Sequence, residues 1–140
     1  ALEPRDYVAR MNRADALWAA GREGEAQRDY GRARTLAVEA LGVDAQDPFL
    51  RIGLAWIDTM LGDLPAARSS MEQARRLAPD DPYTHYIDGL IHLRAVELDA
   101  AAAAFRRAID LGYAPQLLRA DPHLSSLQSD RRFAELIEGA

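Results

Sequence analysis

The chain contains no cysteine, no lysine and no long hydrophobic segment. The absence of cysteine excludes disulfide bonds, thiolate metal sites and cysteine nucleophiles. No apolar run approaches the roughly 18 residues that a membrane-spanning helix requires, and no signal peptide is visible. We therefore expect no membrane insertion and a cytoplasmic location.

Basic charge is also scarce, because 17 arginines stand against 22 acidic residues and the formal net charge is −5. General nucleic-acid binding requires a concentrated basic surface, so we expect no nucleic-acid partner. The exclusive use of arginine, together with the abundance of alanine, is typical of a GC-rich bacterial genome. The 140 residues suit a single domain over 1–140, and because the sequence begins at Ala1 we expect that domain to be excised from a longer protein.

Alternating strand patterns are almost absent, whereas apolar residues three and four positions apart occur along most of the chain. Asp47-Pro48 and Asp81-Pro82 each combine an N-cap with a proline at the first helical position. Glycines end the helical patterns. The sequence predicts helices over about 4–20, 23–41, 48–62, 64–77, 82–96 and 99–111.

Small residues recur at matched positions, in the patterns Ala26-x3-Tyr30-x2-Ala33, Ala67-x3-Met71-x2-Ala74 and Ala101-x3-Phe105-x2-Ala108. The second and third patterns are 34 residues apart, and the first is separated from the second by 41. Each pattern is preceded by another small residue twelve positions earlier, at Ala14, Ala55 or Gly89. Paired small residues allow two helices to approach closely, which predicts three helical hairpins over about 5–41, 47–79 and 81–113.

These residues give the chain a resemblance to the tetratricopeptide repeat family over about residues 5–113. The middle hairpin carries Phe49-x2-Ile52-Gly53-x2-Trp56, Gly62-Asp63, Ala67, Met71, Ala74 and Pro79. The third carries Tyr83, Tyr86, Ile87, Leu90, Ala101, Phe105 and Ala108. The resemblance implies an all-α, right-handed α-α superhelix of about three hairpins that binds other proteins and is not an enzyme.

Two registers compete for the first helix of the middle hairpin. Counting back from the alanines places Arg51 and Asp58 at positions that the family normally buries. The helical period instead groups Phe49, Ile52, Gly53, Trp56 and Met60 on one face, and Arg51, Ala55, Asp58 and Gly62 on the other. Because burial of unpaired charges costs several kcal/mol, we expect Phe49 to be inside and Asp58 to be outside.

In this family the first helices of the hairpins line the concave side of the superhelix. The resemblance therefore implies a peptide or partner groove formed by Arg10, Arg13, Leu50, Arg51, Leu54, Asp58, His85, Asp88 and His92, with Ile57 at its border. The family's carboxylate clamp uses lysines and asparagines; this chain has no lysine and only Asn12, so that specificity is not transferred. That these residues form ordinary solvated helix faces remains an alternative.

His85, Asp88 and His92 also suggest a metal site. Asp88 and His92 are four residues apart and share one helical face. However, His85 and His92 are seven residues apart, roughly 10 Å along a helix axis. We therefore expect no metal ion and no cofactor, and since no nucleophile or oxyanion hole accompanies the histidines, no catalytic activity.

Residues 114–140 depart from the repeat. Short helices are predicted over Pro115–Arg119, from Asp121-Pro122 to Leu127, and after Asp130. The last carries Phe133, Leu136 and Ile137 on one side, which is typical of a terminal element that covers an exposed repeat face. Similar tails close many bacterial tetratricopeptide arrays that follow a signalling domain. An alternative is that the last helix occupies the groove of its own chain or of a neighbour.

Together these observations predict a non-catalytic interaction module that binds a protein or peptide partner and regulates an attached signalling domain. The alternative is a self-association module that forms a homodimer of its parent protein.

Overall fold

The computed structural model describes residues 6–138, and over this range the chain is helical, with no β-strand. The helices are α1 (Asp6–Ala19), α2 (Glu23–Leu41), α3 (Pro48–Met60), α4 (Leu64–Leu77), α5 (Pro82–Arg94), α6 (Leu98–Asp110), α7 (Pro115–Arg119), a 3₁₀ helix (Pro122–Leu127) and α8 (Arg131–Glu138). The all-α class built of helical hairpins is confirmed. The chain divides into two compact units, Ala1–Leu77 and Ala78–Ala140.

Aspartate followed by proline starts three of these helices. The Asp47 carboxylate accepts hydrogen bonds from the backbone N–H groups of Phe49 (3.0 Å) and Leu50 (3.3 Å) at the start of α3. Asp81 and Asp121 accept one such bond each, both at 2.9 Å, at the starts of α5 and the 3₁₀ helix. The carboxylates satisfy backbone donors that have no partner within the helix, which fixes where the helices begin.

In the first unit, α1 packs against α2, α3 packs against α4, and α3 also contacts α1 and α2. The repeated alanines lie in these contacts and are fully buried: Ala14, Ala26, Ala33, Ala55, Ala67 and Ala74. A Cβ atom on Gly53 would lie 3.0 Å from Cε2 of Tyr7, so α3 approaches α1 closely at this point. Small residues thus allow helices α1 to α4 to share one core.

In the second unit, α5 and α6 form a hairpin, and α8 packs on α6. The Phe105 and Phe133 rings meet edge to face, with centroids 6.0 Å apart. Phe133, Leu136 and Ile137 are all buried, as expected for a helix that covers a repeat face. The Tyr86 hydroxyl donates a hydrogen bond to Asp121, which connects α5 to the segment between α7 and α8.

The three hairpin turns share one backbone arrangement. Gly21, Gly62 and Val96 have φ values of 79°, 85° and 59°. In each turn the following N–H donates to the carbonyl five residues back: Arg22 to Leu17, Asp63 to Asp58, and Glu97 to His92. This is the Schellman arrangement, which requires a left-handed residue and therefore favours glycine. Val96 adopts the same geometry without being a glycine.

Candidate functional site

The nine side chains predicted for the groove differ sharply in exposure. Four are buried, and the other five retain accessible surface. The buried ones are Leu50, Leu54, Asp58 and Asp88, and Ile57, predicted at the groove border, is also buried. The accessible ones are Arg10, Arg13, Arg51, His85 and His92. Arg10, Arg13 and Arg51 belong to the first unit, and His85 and His92 to the second.

The expectation for the two faces of α3 is wrong at two residues. Asp58 is only 1% exposed, and Phe49, expected inside, is 49% exposed. Asp58 is buried because α3 contacts α1, α2 and α4, so little of its circumference remains open. Phe49 lies in the first turn of α3, where fewer neighbours surround a side chain.

Asp58 tolerates burial because Arg34 of α2 compensates its charge. Arg34 Nε donates a hydrogen bond to Asp58 Oδ1 at 2.7 Å. Burial nevertheless raises the pKa of the Asp58 carboxyl above its ordinary value, and the hydrogen bond and charge of Arg34 offset only part of this effect. Sequence periodicity missed Arg34, because the partner lies on a different helix and 24 positions earlier.

Arg10 and Arg13 of α1 share one carboxylate. Arg13 Nε lies 3.2 Å from Asp29 Oδ2, and Arg10 Nη1 lies 3.7 Å from Asp29 Oδ1. The Asp29 side chain is 4% exposed, whereas the Arg10 and Arg13 side chains are 40% and 59% exposed. A single buried carboxylate thus forms ion pairs with two guanidinium groups that are themselves partly exposed.

Asp29 was also missed by the sequence analysis, although a signal for it exists. Its counterparts in the other two hairpins, 41 and 75 residues later, are Ser70 and Ala104, and all three are buried. A charged residue at a position that is otherwise small and buried indicates a compensated charge.

Arg51 and His85 contact the connectors that precede their helices. Arg51 donates through Nη2 to the Ala45 carbonyl oxygen at 3.2 Å, and His85 Nε2 donates to the Pro79 carbonyl oxygen at 2.6 Å. The two residues are 34 apart, and each contacts the carbonyl six residues earlier. The equivalent contacts make them matching polar positions in successive hairpins.

His92 lies between two carboxylates in the second unit. Its Nε2 is 3.6 Å from Asp88 Oδ1, and its Nδ1 is 3.0 Å from Glu97 Oε1. Within residues 6–138, no group of three or more histidine and acidic side chains is arranged to hold a metal ion. The geometry of His92 is that of a histidine paired with acids on its own helix and on the following turn.

These side chains can donate hydrogen bonds and attract carboxylates. Arginine guanidinium groups bind carboxylates with paired, charge-assisted hydrogen bonds.

Along the described part of the chain, no helix has the length and hydrophobicity needed to cross a membrane.

Helical hairpins that recur along the chain, close through one turn geometry and pack through alanines define a helical-repeat protein. Two family models, both described as tetratricopeptide repeat, match residues 25–87 and 60–122. The chain belongs to the tetratricopeptide repeat family, whose members generally serve as protein-interaction scaffolds. A comparison with curated proteins gave no match.

Proposed function

We propose that this chain binds a peptide or partner helix in a concave groove, through polar side chains on the first helices of its hairpins. Its contact groups are Arg10, Arg13 and Arg51 in the first unit and His85 and His92 in the second. Leu50, Leu54, Asp58 and Asp88 support these helices from within. Binding to a partner in this way regulates an attached domain without catalysis by the repeat itself.

The arrangement of Arg10 and Arg13 around Asp29 is the observation that carries this proposal. One buried carboxylate holds two guanidinium groups that both remain accessible, so the positive charge is only partly neutralised. On a chain of net charge −5, a locally positive site selects for acidic segments of a partner. The salt bridges also restrict the arginine side chains before binding, which lowers the entropy lost on association.

A peptide panel tests the proposal. Extended, proline-containing peptides with acidic, basic or uncharged side chains are titrated against the full chain by fluorescence anisotropy. We expect the acidic peptides to bind best and the double substitution Arg13→Gln, His85→Gln to weaken them about tenfold, which corresponds to about 1.4 kcal/mol. Glutamine keeps a polar side chain near Asp29 while it removes the positive charge, and unchanged circular dichroism melting shows that the variant is folded.

Arg76→Gln is the matched control. Arg76 lies on a second helix, α4, and is exposed, with an ion pair to Glu72 one turn away. We expect this variant to bind the acidic peptides as the parent does. If Arg76→Gln and the double substitution weakened the binding of acidic peptides equally, the loss would reflect the overall charge of the protein. That result would contradict the groove assignment.

Self-association is the alternative function. It requires the chain to form a dimer through one of its own surfaces, and its test is the oligomeric state in solution, measured by sedimentation.

A further inference from the structure

An open surface cavity of about 500 Å³ lies between α1 and α2, within the first hairpin. It is lined by Asp6, Ala9, Arg10, Arg32, Thr35 and Leu36. Ala9 and Leu36 supply an apolar lining, while Arg10 and Arg32 supply positive charge, one from each helix. Such a combination of apolar walls and a few convergent polar groups is typical of a binding pocket.

Arg32 is available to a ligand. Its side chain is exposed, and among residues 6–138 it forms no ion pair or hydrogen bond. Arg10 shares Asp29 with Arg13, so part of its charge also remains uncompensated. Among the described residues that line the cavity, Asp6 is the only acidic one, so the two arginines give this lining a net positive charge.

An arginine on the opposite side of α2 binds a carboxylate within the structure itself. Arg34 donates a hydrogen bond to the carboxylate of Asp58, on α3, which packs against α2. Arg32 precedes Arg34 by two residues, and at about 100° per residue it points to the other side of α2. The hairpin thus offers the same type of donor on both sides.

We infer that this cavity is a second docking site, which binds an acidic amphipathic helix of a partner protein. A glutamate or aspartate of that helix pairs with Arg32 and Arg10, and an apolar side chain one turn away contacts Ala9 and Leu36. The site adjoins the groove, because Arg10 belongs to both, whereas the other five lining residues are not groove residues.

The occupant follows from charge and shape together. A guanidinium pair without apolar walls would favour any anion, whereas Leu36 and Ala9 favour a ligand that carries an aliphatic group beside its carboxylate. Helices with acidic and apolar residues one turn apart present both groups on one face. Because the pairing is partly exposed, binding weakens as salt is raised.

Nuclear magnetic resonance of the full chain tests the inference directly. The probe is a synthetic helical peptide with glutamate one turn from leucine. Two matched control peptides carry glutamine or lysine in place of the glutamate. We expect the glutamate peptide to shift the methyl signals of Ala9 and Leu36, and the glutamine peptide to bind about tenfold more weakly. Arg32→Gln should weaken the binding of the glutamate peptide by a similar factor without changing the melting temperature, since Arg32 has no ion pair or hydrogen bond to lose among residues 6–138.

Arg28→Gln is the matched control, because Arg28 is an exposed arginine of α2 that does not line the cavity. The same titration in an Arg51→Gln, His85→Gln variant, which changes groove residues outside the first hairpin, separates the two sites, and the Leu36 signal should respond as in the parent.

Three results would overturn the inference. One is the absence of Ala9 and Leu36 shifts at the highest soluble peptide concentration. Another is an Arg32→Gln variant that titrates like the parent. The third is a heparin oligosaccharide that shifts these signals as strongly as the glutamate peptide, because it would assign the cavity to polyanions.

Discussion

Val96 has the backbone conformation that glycine adopts in the other two hairpin turns. Its φ is 59°, and the flanking hydrogen bonds match those at Gly21 and Gly62. Val96 follows Gly62 by the repeat distance of 34 residues, so the two residues occupy equivalent turn positions. For a β-branched residue the left-handed region is strained, by about 1–2 kcal/mol.

Val96→Gly is therefore expected to stabilise the protein. The strain energy relieved in the folded state exceeds the free-energy cost of the greater conformational entropy that glycine gives the unfolded chain. The net gain in the free energy of unfolding should be about 0.5–1 kcal/mol. Little burial is lost, because Val96 is 76% exposed. Urea denaturation measures the change, and Gly62→Val, which introduces the same strain in the middle hairpin, should lower the midpoint. A Val96→Gly protein no more stable than the parent would show that the turn is unstrained.

Gly89 allows α5 to approach the ring of Phe105. A Cβ atom at this position would lie 2.5 Å from Phe105 Cε1, well inside contact distance. The ring cannot move aside easily, because it is fully buried and contacts Tyr86 and Phe133. Gly89→Ala should destabilise the protein by about 1–3 kcal/mol through overpacking.

Thermal denaturation measures this effect, with Gly31→Ala as the control. Gly31 lies inside α2, and a Cβ atom there would meet nothing within 4 Å. Alanine at Gly31 should stabilise the helix by about 0.5–1 kcal/mol. Equal destabilisation of both variants would contradict the close approach at Gly89.

At the level of the helices, the sequence predicted where most elements start and stop. Asp47-Pro48 and Asp81-Pro82 mark starts because the cap and the fixed proline φ act locally, within one turn. The glycine turns at Gly21 and Gly62 are equally local. Features that depend on a few adjacent residues can be read from the sequence alone.

The candidate site was predicted less well, since exposure depends on neighbouring helices. Periodicity separates two faces of α3, but it cannot reveal that three helices pack around it. Asp58 therefore appeared to be a surface residue, although Arg34 makes its burial tolerable. Arg13 remains accessible on α1, which fewer helices surround, and Arg51 remains accessible in the first turn of α3.

The raised pKa of Asp58 predicts a specific pH dependence. The folded protein holds the Asp58 proton more tightly than the unfolded chain does, because the pKa of this carboxyl is raised on folding. As pH rises from the unfolded to the folded pKa of Asp58, ionisation of this carboxyl therefore lowers the free energy of unfolding. Relative to Asp58→Asn, the parent should therefore gain stability on acidification through that window. Urea denaturation between about pH 3 and pH 7 covers the range in which carboxyls ordinarily titrate.

Asp130→Asn provides a control of opposite sign. The Arg132 hydrogen bond holds the pKa of the Asp130 carboxyl below its ordinary value. Relative to Asp130→Asn, the parent should lose stability as pH falls through the ordinary aspartate range. Parallel curves for the two variants would contradict the assigned directions.

At the scale of the whole chain, charge and surface composition bear on self-association. The formal net charge is −5, which opposes contact between identical copies. Exposed large apolar side chains within residues 6–138 occur on different elements, and they are Val38, Val43, Phe49, Leu77, Val96 and Leu117. Scattered apolar side chains of this kind are common on monomers.

We therefore expect the chain to sediment as a monomer over a wide concentration range. Analytical ultracentrifugation at physiological and low salt measures this, since lower salt strengthens the repulsion between copies. A dimer that forms with increasing concentration would favour the self-association alternative.

The stretch from Gly62 to Val96 begins and ends at turns with the same hydrogen-bond pattern, 34 residues apart. Deleting or duplicating that stretch joins two ends that already match in backbone direction and in hydrogen-bonding partners. The chain can thus grow or shrink by whole units in one recombination event, without a new connector. Val96 is the position at which the two ends of the stretch differ in residue type, valine at one and glycine at the other.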